Sequence, residues 1–167
     1  MKIIQPGFSL IEMMVVVSLC ILISCVSLVS MRSLEKSTVH AELNLLCAAC
    51  NYLQQQAIAT NTIQELSIDS ARHSYTFNGH DHALAKGVYF DVALNAYGPP
   101  SAPFKLLEKP ITFNEQKILF YPEGMMSAGM ICFTNANRTV LYALSSAVAH
   151  VSFLRRYSYE KGWRLIA

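Results

Sequence analysis

From Met13 to Met31 the chain reads MMVVVSLCILISCVSLVSM, nineteen residues with no charge, no proline and no glycine. A run of that length spans a bilayer as a helix. Extended back to Phe8 it covers 24 residues, or about 36 Å at about 1.5 Å per residue, against a hydrocarbon core of about 30 Å. The run explains why a chain of 167 residues is 53% hydrophobic and only 14% charged. Thirteen Lys and Arg against eleven Asp and Glu leave +2, too weak a bias for a binder of nucleic acid that works through bulk charge. The length suits one domain with a real core.

Glu12 breaks the pattern, because a carboxylate inside a spanning segment is costly and marks a functional group with a partner. Three readings of this end compete. A secretory signal peptide has a shorter apolar region and a small-residue cleavage site, and no Ala-x-Ala follows here. A lipoprotein signal finds its apolar, small, Cys order in Leu22-Ile23-Ser24-Cys25, which would place a lipid on Cys25. A signal anchor would leave the N-terminus in the cytoplasm, on the slender charge asymmetry of Lys2 against Arg32, Glu35 and Lys36.

The segment Pro6-Gly7-Phe8-Ser9-Leu10-Ile11-Glu12, followed by the apolar run, resembles the N-terminal motif of the type IV prepilin and pseudopilin superfamily. The resemblance implies a leader of residues 1–7, cut by a prepilin peptidase after Gly7. It implies N-methylation of Phe8 and a role for Glu12 as the assembly carboxylate. Implied partners are other pseudopilins, packed helix to helix in a filament, the peptidase, and an inner-membrane assembly platform. The chemistry of Glu12 supports such a role on its own terms. A buried carboxylate needs a cation, and cutting after Gly7 creates one at the amine of Phe8. Within one helix that amine lies about 6 Å away along the axis. The amine of a neighbouring subunit is the better-aligned partner and would set the axial register.

No glycine or proline lies between Phe8 and Asn78, so the helix is expected to continue past the membrane. Val39, Leu43, Leu46, Cys50, Leu53 and Ala57 recur at helical spacing and form one apolar stripe. Residues 8–31 are thus expected to be a transmembrane helix, and 32–60 its amphipathic continuation on a globular domain. Cys47-Ala48-Ala49-Cys50 has neither the βαβ surroundings of a redox pair nor the second Cys-x-x-Cys of a zinc site, so core packing is the preferred reading. A disulfide between Cys132 and Cys47 or Cys50 stays open.

From Ile63 onward short β-rich runs replace the helical period. Leu66 with Ile68 and Tyr75 with Phe77 precede the Asn78-Gly79 turn signal. Val88, Phe90, Val92 and Leu94 alternate, and a Pro/Gly-rich surface loop follows over 97–103. Further strands are expected at 111–113, 118–121, 130–133, 139–144, 148–157 and 163–166. Ile118 to Gly124 with Gly129 to Phe133, and Leu84 to Val88, are similar to strand and turn segments of GspH/FimT-like minor pseudopilins. Their periplasmic domain is a β-sandwich, and Pro122 and Gly124 would form its tight turn. The expected fold is α+β: a long N-terminal α-helix, transmembrane in its first half, then an antiparallel β-sandwich-like domain over 61–167.

No Walker loop, dinucleotide fingerprint, nucleophile elbow or zinc-protease helix occurs, so the chain is read as no enzyme, without cofactor or metal. His80-Asp81-His82 is read as a solvated turn. Arg155, Arg156, Lys161 and Arg164 against Glu160 make +3 over 155–164, interleaved with Tyr157, Tyr159 and Trp163. Such a pattern can stack on nucleic acid or meet a protein partner, but an outward strand face with packed aromatics is preferred. Gly162-Trp163-Arg164-Leu165 keeps one Arg of the Gly-Arg-x-Arg motif that some FimT-like members carry for DNA uptake. The resemblance therefore implies an H-type minor pseudopilin of type II secretion, helping to move folded proteins across the outer membrane. Its expected location is the inner membrane, single-pass, with a cytoplasmic N-terminus and a periplasmic C-terminal domain, joined to a periplasmic pseudopilus. The alternative is a minor pilin of a type IV pilus or competence system.

Overall fold

The computed structural model describes residues 9–98, 104–146 and 153–166, with the side chains of 26–32 excepted. Helical backbone is assigned over Leu10–Thr60 (α1). The chain divides into two compact units, Met1–Leu34 and Glu35–Ala167.

In the first unit Ser9 starts the helix: its carbonyl accepts the amides of Glu12 (3.0 Å) and Met13 (3.2 Å). Glu12 thus sits in the first turn, where a carboxylate is favoured by the helix dipole. The expected transmembrane helix over 8–31 is corrected here. Among the described residues no helix is long and apolar enough to cross a membrane. The stretch whose side chains are described, 10–25, rises about 24 Å, short of a hydrocarbon core of about 30 Å, and it carries Glu12. The single-pass inner-membrane placement, with cytoplasmic N-terminus and periplasmic domain, is withdrawn with it. In place of one long helix, half transmembrane, the described side chains define two helical segments, 10–25 and 33–60.

The second unit combines the helical residues 35–60 with two antiparallel sheets. Sheet one has four strands, ordered β3-β2-β1-β5, from β1 (Gln64–Asp69), β2 (Ser74–Phe77), β3 (His80–Ala83) and β5 (Lys117–Phe120). Sheet two has five, ordered β4-β6-β7-β8-β9, from β4 (Val88–Tyr89), β6 (Gly129–Asn135), β7 (Leu141–Ser146), β8 (Leu154–Tyr159) and β9 (Trp163–Ile166). Register places Leu66 beside Phe77 and Ile118, and Ile68 beside Tyr75. Because side chains alternate across a strand, these residues share one face. They join Ile131, Phe133, Tyr142 and Leu144 of sheet two and the stripe Val39, Leu43, Leu46, Cys50, Leu53 and Ala57 of α1 in one core.

The other face of sheet two carries Met130, Cys132, Leu141, Ala143 and Tyr157, which Ala96 and Leu107 of the long loop cover as a second core. Sheet two is therefore buried on both faces, as its nearly continuous apolar strands require. The same pleat settles the position of Cys132. It faces the second core while Cys50 lies in the first, and all five cysteines are free.

Turn chemistry matches the backbone at two points. Asn78 and Gly79 both hold positive φ, 50° and 76°, the pair that a two-residue hairpin turn demands. Gly124, at φ 82°, closes the Pro122 turn by donating its amide to the Tyr121 carbonyl at 2.9 Å. That turn does not link β5 to β6 within one sheet. The returning arm, Met125 to Ser127, lies along β5, with Ser127 N donating to Leu119 O at 2.9 Å, before the chain crosses to sheet two.

Several strand expectations shift. The alternating run from Val88 stops at Tyr89, because the Asp91 carboxylate bonds to the Val92 amide at 2.8 Å and a turn at Ala93–Ala96 follows. Residues 111–113 make only a bridge, Ile111 to Ile131. Pro110, which has no amide proton, precedes it. His80-Asp81-His82, expected as a solvated turn, belongs to the edge strand β3. Residues 99–103 of the loop and 148–152 of an expected strand lie outside the described residues.

Candidate functional site

Two regions carry the residues singled out from the sequence. The first is the N-terminal segment of α1. Gly7 and Phe8, the expected cleavage and methylation positions, lie outside the described residues, as does the leader 1–7. Glu12 is exposed in the first turn. Around it Leu10, Ile11, Met13, Met14, Val15, Val16, Val17, Leu19, Ile21, Leu22 and Ile23 are 48% to 78% exposed. Apolar side chains thus occupy every side of this segment, the composition of a helix that belongs in an interior. The polar groups within it are turned back on the helix. Ser18 Oγ donates to the Met14 carbonyl at 2.8 Å and Ser24 Oγ to the Cys20 carbonyl at 2.7 Å. Their hydroxyls are satisfied without water, which suits an apolar setting. Cys25 is exposed on the same segment.

The second region is the C-terminal pair of strands, where the structure disperses the four cations. On β8, Arg155 lies 4.5 Å from the centre of the Phe153 ring on one face of the sheet. Arg156, on the opposite face, donates from Nη1 to Asn44 Oδ1 of α1 at 2.8 Å. Arg164 lies 3.8 Å from Glu160, whose other oxygen is 3.3 Å from Lys36 Nζ. Lys161 occupies the exposed turn between β8 and β9. Of the cations on the strands, Arg155 shares the face of Tyr157, Tyr159 and Trp163, whereas Arg156 and Arg164 lie on the opposite face. Trp163 packs edge-on against Tyr159, centroids 5.0 Å apart, and its Nε1 donates to the carbonyls of Tyr97, at 3.0 Å, and Gly98. These rings belong to the covering of the second core, and with Arg156 and Arg164 on the other face the cations and aromatics are split between the two sides of the sheet.

Neither cysteine of the Cys-x-x-Cys has reactive character. Burial raises the Cys47 thiol, against a partly offsetting attraction from Arg156, and burial followed by the nearby Cys47 raises Cys50 well above the ordinary thiol range. Such thiols remain protonated and inert. A cleft of about 420 Å³ lined by Lys36, Arg138, Tyr142, Tyr159 and Glu160 carries no free cation, since Lys36 pairs with Glu160 and Arg138 with Asp91.

Two polar residues that the sequence does not advertise organise the second unit. Asn135, 2% exposed, accepts the amides of Thr139 (2.8 Å) and Val140 (3.0 Å) on Oδ1. From Nδ2 it donates to Glu35 Oε2 (2.6 Å) and Thr139 Oγ1 (2.9 Å). Glu42, buried on α1, accepts the Ala85 amide at 3.1 Å. Asn135 ties the helix to sheet two and Glu42 ties it to the loop between β3 and β4, and an isolated Asn or Glu in a sequence gives no sign of it.

No protein-family model, no curated protein and no solved structure matches this chain.

Proposed function

We propose that this protein is a structural subunit of a pilin-like filament, of the minor pseudopilin kind, that acts by assembly and not by catalysis. One observation carries the reading: a helical segment apolar on every side, with its side chains exposed. In a filament this segment is buried among the same segments of neighbouring subunits, and each exposed apolar side chain removed from water contributes about 1.5 to 3 kcal/mol. The motif around Gly7, Phe8 and Glu12 supports the same reading. Cleavage at Gly7 frees an amine that a neighbour's Glu12 can pair with inside the apolar bundle, where an unpaired carboxylate is costly. The H-type pseudopilin of a type II secretion machine is the finer assignment, resting on the strand and turn resemblance around Pro122 and Gly124.

The competence or DNA-uptake alternative finds less support, because Arg155 and Arg156 lie on opposite faces of β8 and Arg156 is engaged with Asn44. The experiment is to express Glu12→Ala and Glu12→Gln chains in the native host and quantify them in isolated filaments. Loss of incorporation with the second unit still folded is the expected result. Incorporation equal to the unmodified chain overturns the assigned role of Glu12.

A further inference from the structure

The cleft of about 420 Å³ lies where the start of the second unit's helix, the β6–β7 turn and the end of β8 meet, and Lys36, Arg138, Tyr142, Ser158, Tyr159 and Glu160 are among its lining residues. Its volume suits a small ligand or one side chain of a larger one. Its cations are paired, but their partners are saturated while their own donors are not. Glu160 gives one oxygen to Lys36 at 3.3 Å and the other to Arg164 at 3.8 Å. Asp91 gives one oxygen to Arg138 and accepts the Val92 amide on the other at 2.8 Å. An ammonium has three N–H donors and a guanidinium five, more than these pairs use.

Two hydroxyls add to the surplus. Tyr142 and Ser158 stand opposite each other on β7 and β8 and share a face of the sheet. The Tyr142 ring is set in the first core, 5% exposed and 5.5 Å from the His40 ring. Among the described residues none hydrogen-bonds its hydroxyl or Ser158 Oγ, and neither atom is sealed from the cleft. Burial raises the Tyr142 hydroxyl above the ordinary phenol range, with Lys36 acting against that shift and Glu160 with it. It is therefore a protonated donor beside the Lys36–Glu160 pair. A nearly buried donor with nothing to bond calls for an acceptor.

We infer that the cleft binds a carboxylate, which accepts hydrogen bonds from Tyr142 Oη, Ser158 Oγ and Lys36 Nζ. A carboxylate has lone pairs for all three donors and the single charge that Lys36 balances. Glu160 is the group that must move. Its pair with Lys36 is 54% exposed on both sides, a kind of pair that adds little, and Arg164 is at hand to keep it. The N-terminal segment takes no part, so this site stands or falls apart from the filament reading.

The test uses the full-length chain in mild detergent, with tyrosine isotopically labelled at Cζ, and follows Tyr142 and Tyr159 by NMR. Sodium propionate is titrated at constant ionic strength, with propionamide as the neutral control. A saturable shift at Tyr142 with propionate, and none with propionamide, is expected. Lys36→Gln and Ser158→Ala should each weaken binding about fivefold, and Tyr142→Phe, read at Tyr159, by a similar factor. Glu160→Gln should tighten it about threefold by removing the competitor for Lys36, a gain that a purely structural role does not produce. The other tyrosine signals report folding in each variant, and Ser158→Ala carries the test where Tyr142→Phe fails to fold. Absence of a saturable shift, an equal shift with propionamide, tighter binding of inorganic phosphate, or weaker binding in Glu160→Gln overturns the inference. The blocked peptide acetyl-Gly-Glu-Gly-amide separates the sources of the carboxylate. Binding of this peptide as well as propionate assigns the cleft to an acidic side chain of a partner protein, and binding of propionate alone assigns it to a free small acid.

Discussion

Asn135 holds four hydrogen bonds at a site closed to water, two from the turn that follows it and two to side chains, one of them on α1. Truncation would leave two amides and a carboxylate short of partners, and unsatisfied buried groups cost more than the bonds themselves gain. Asn135→Ala is expected to destabilise the second unit by about 2 to 4 kcal/mol in urea unfolding. Burial pushes the Cys132 thiol up to about 12 from an ordinary 9.0. Above 9.0 the unfolded chain has released a proton that the folded chain still holds, so the contribution is complete below that pH and declines as pH rises toward 12. Thermal midpoints followed from about pH 8 to about pH 11 should fall less steeply in Cys132→Ala than in the unmodified chain. At this scale the apolar stripe on α1 was legible, since Val39, Leu43, Leu46, Cys50, Leu53 and Ala57 repeat at a period that only a helix face satisfies, and all six are buried. Asn135 and Glu42 were not, because their partners lie up to a hundred residues away and nothing local marks them.

At the scale of elements, strands with a clear inner face are readable from alternation, as in β1 and β2, while those buried on both faces read as unbroken apolar runs. The edges were the hard part. His80-Asp81-His82 has no apolar residue to signal a strand, yet the Asn78-Gly79 turn folds it back beside β2, and His82 stacks over Phe77 and Tyr75 at centroid distances of 5.0 and 5.5 Å. In the C-terminal strands the charge pattern suggested one surface, but alternation along β8 sends Arg155 and Arg156 to opposite faces. Gly129 opens β6 for a steric reason. A Cβ there would meet the Phe113 ring at 2.5 to 2.8 Å, so the ring, itself buried in the core, would have to shift. Gly129→Ala is expected to cost about 1 to 3 kcal/mol, and Phe113→Leu in the same chain to recover part of it, both read from urea midpoints.

For the whole molecule the two units make different demands. The second satisfies its apolar surface internally, through two cores on either side of sheet two. In the first, the described apolar side chains of residues 10–25 are exposed on every side and call for an external partner. In place of the bilayer suggested by the length of the apolar run, we propose the matching helices of neighbouring subunits as that partner. A charge in the middle of the segment should therefore block assembly without touching the second unit. Leu19→Lys is expected to lower the chain's content in isolated filaments by at least about tenfold, since a charge within an apolar bundle is costly, with the thermal midpoint of the second unit unchanged. The most direct test of the filament reading is intact-mass and peptide mass spectrometry of the chain purified from its native host. An N-terminus beginning at N-methylated Phe8, lost when the prepilin peptidase is deleted, is the result predicted. A chain that still begins at Met1, or one carrying lipid on Cys25, would contradict it.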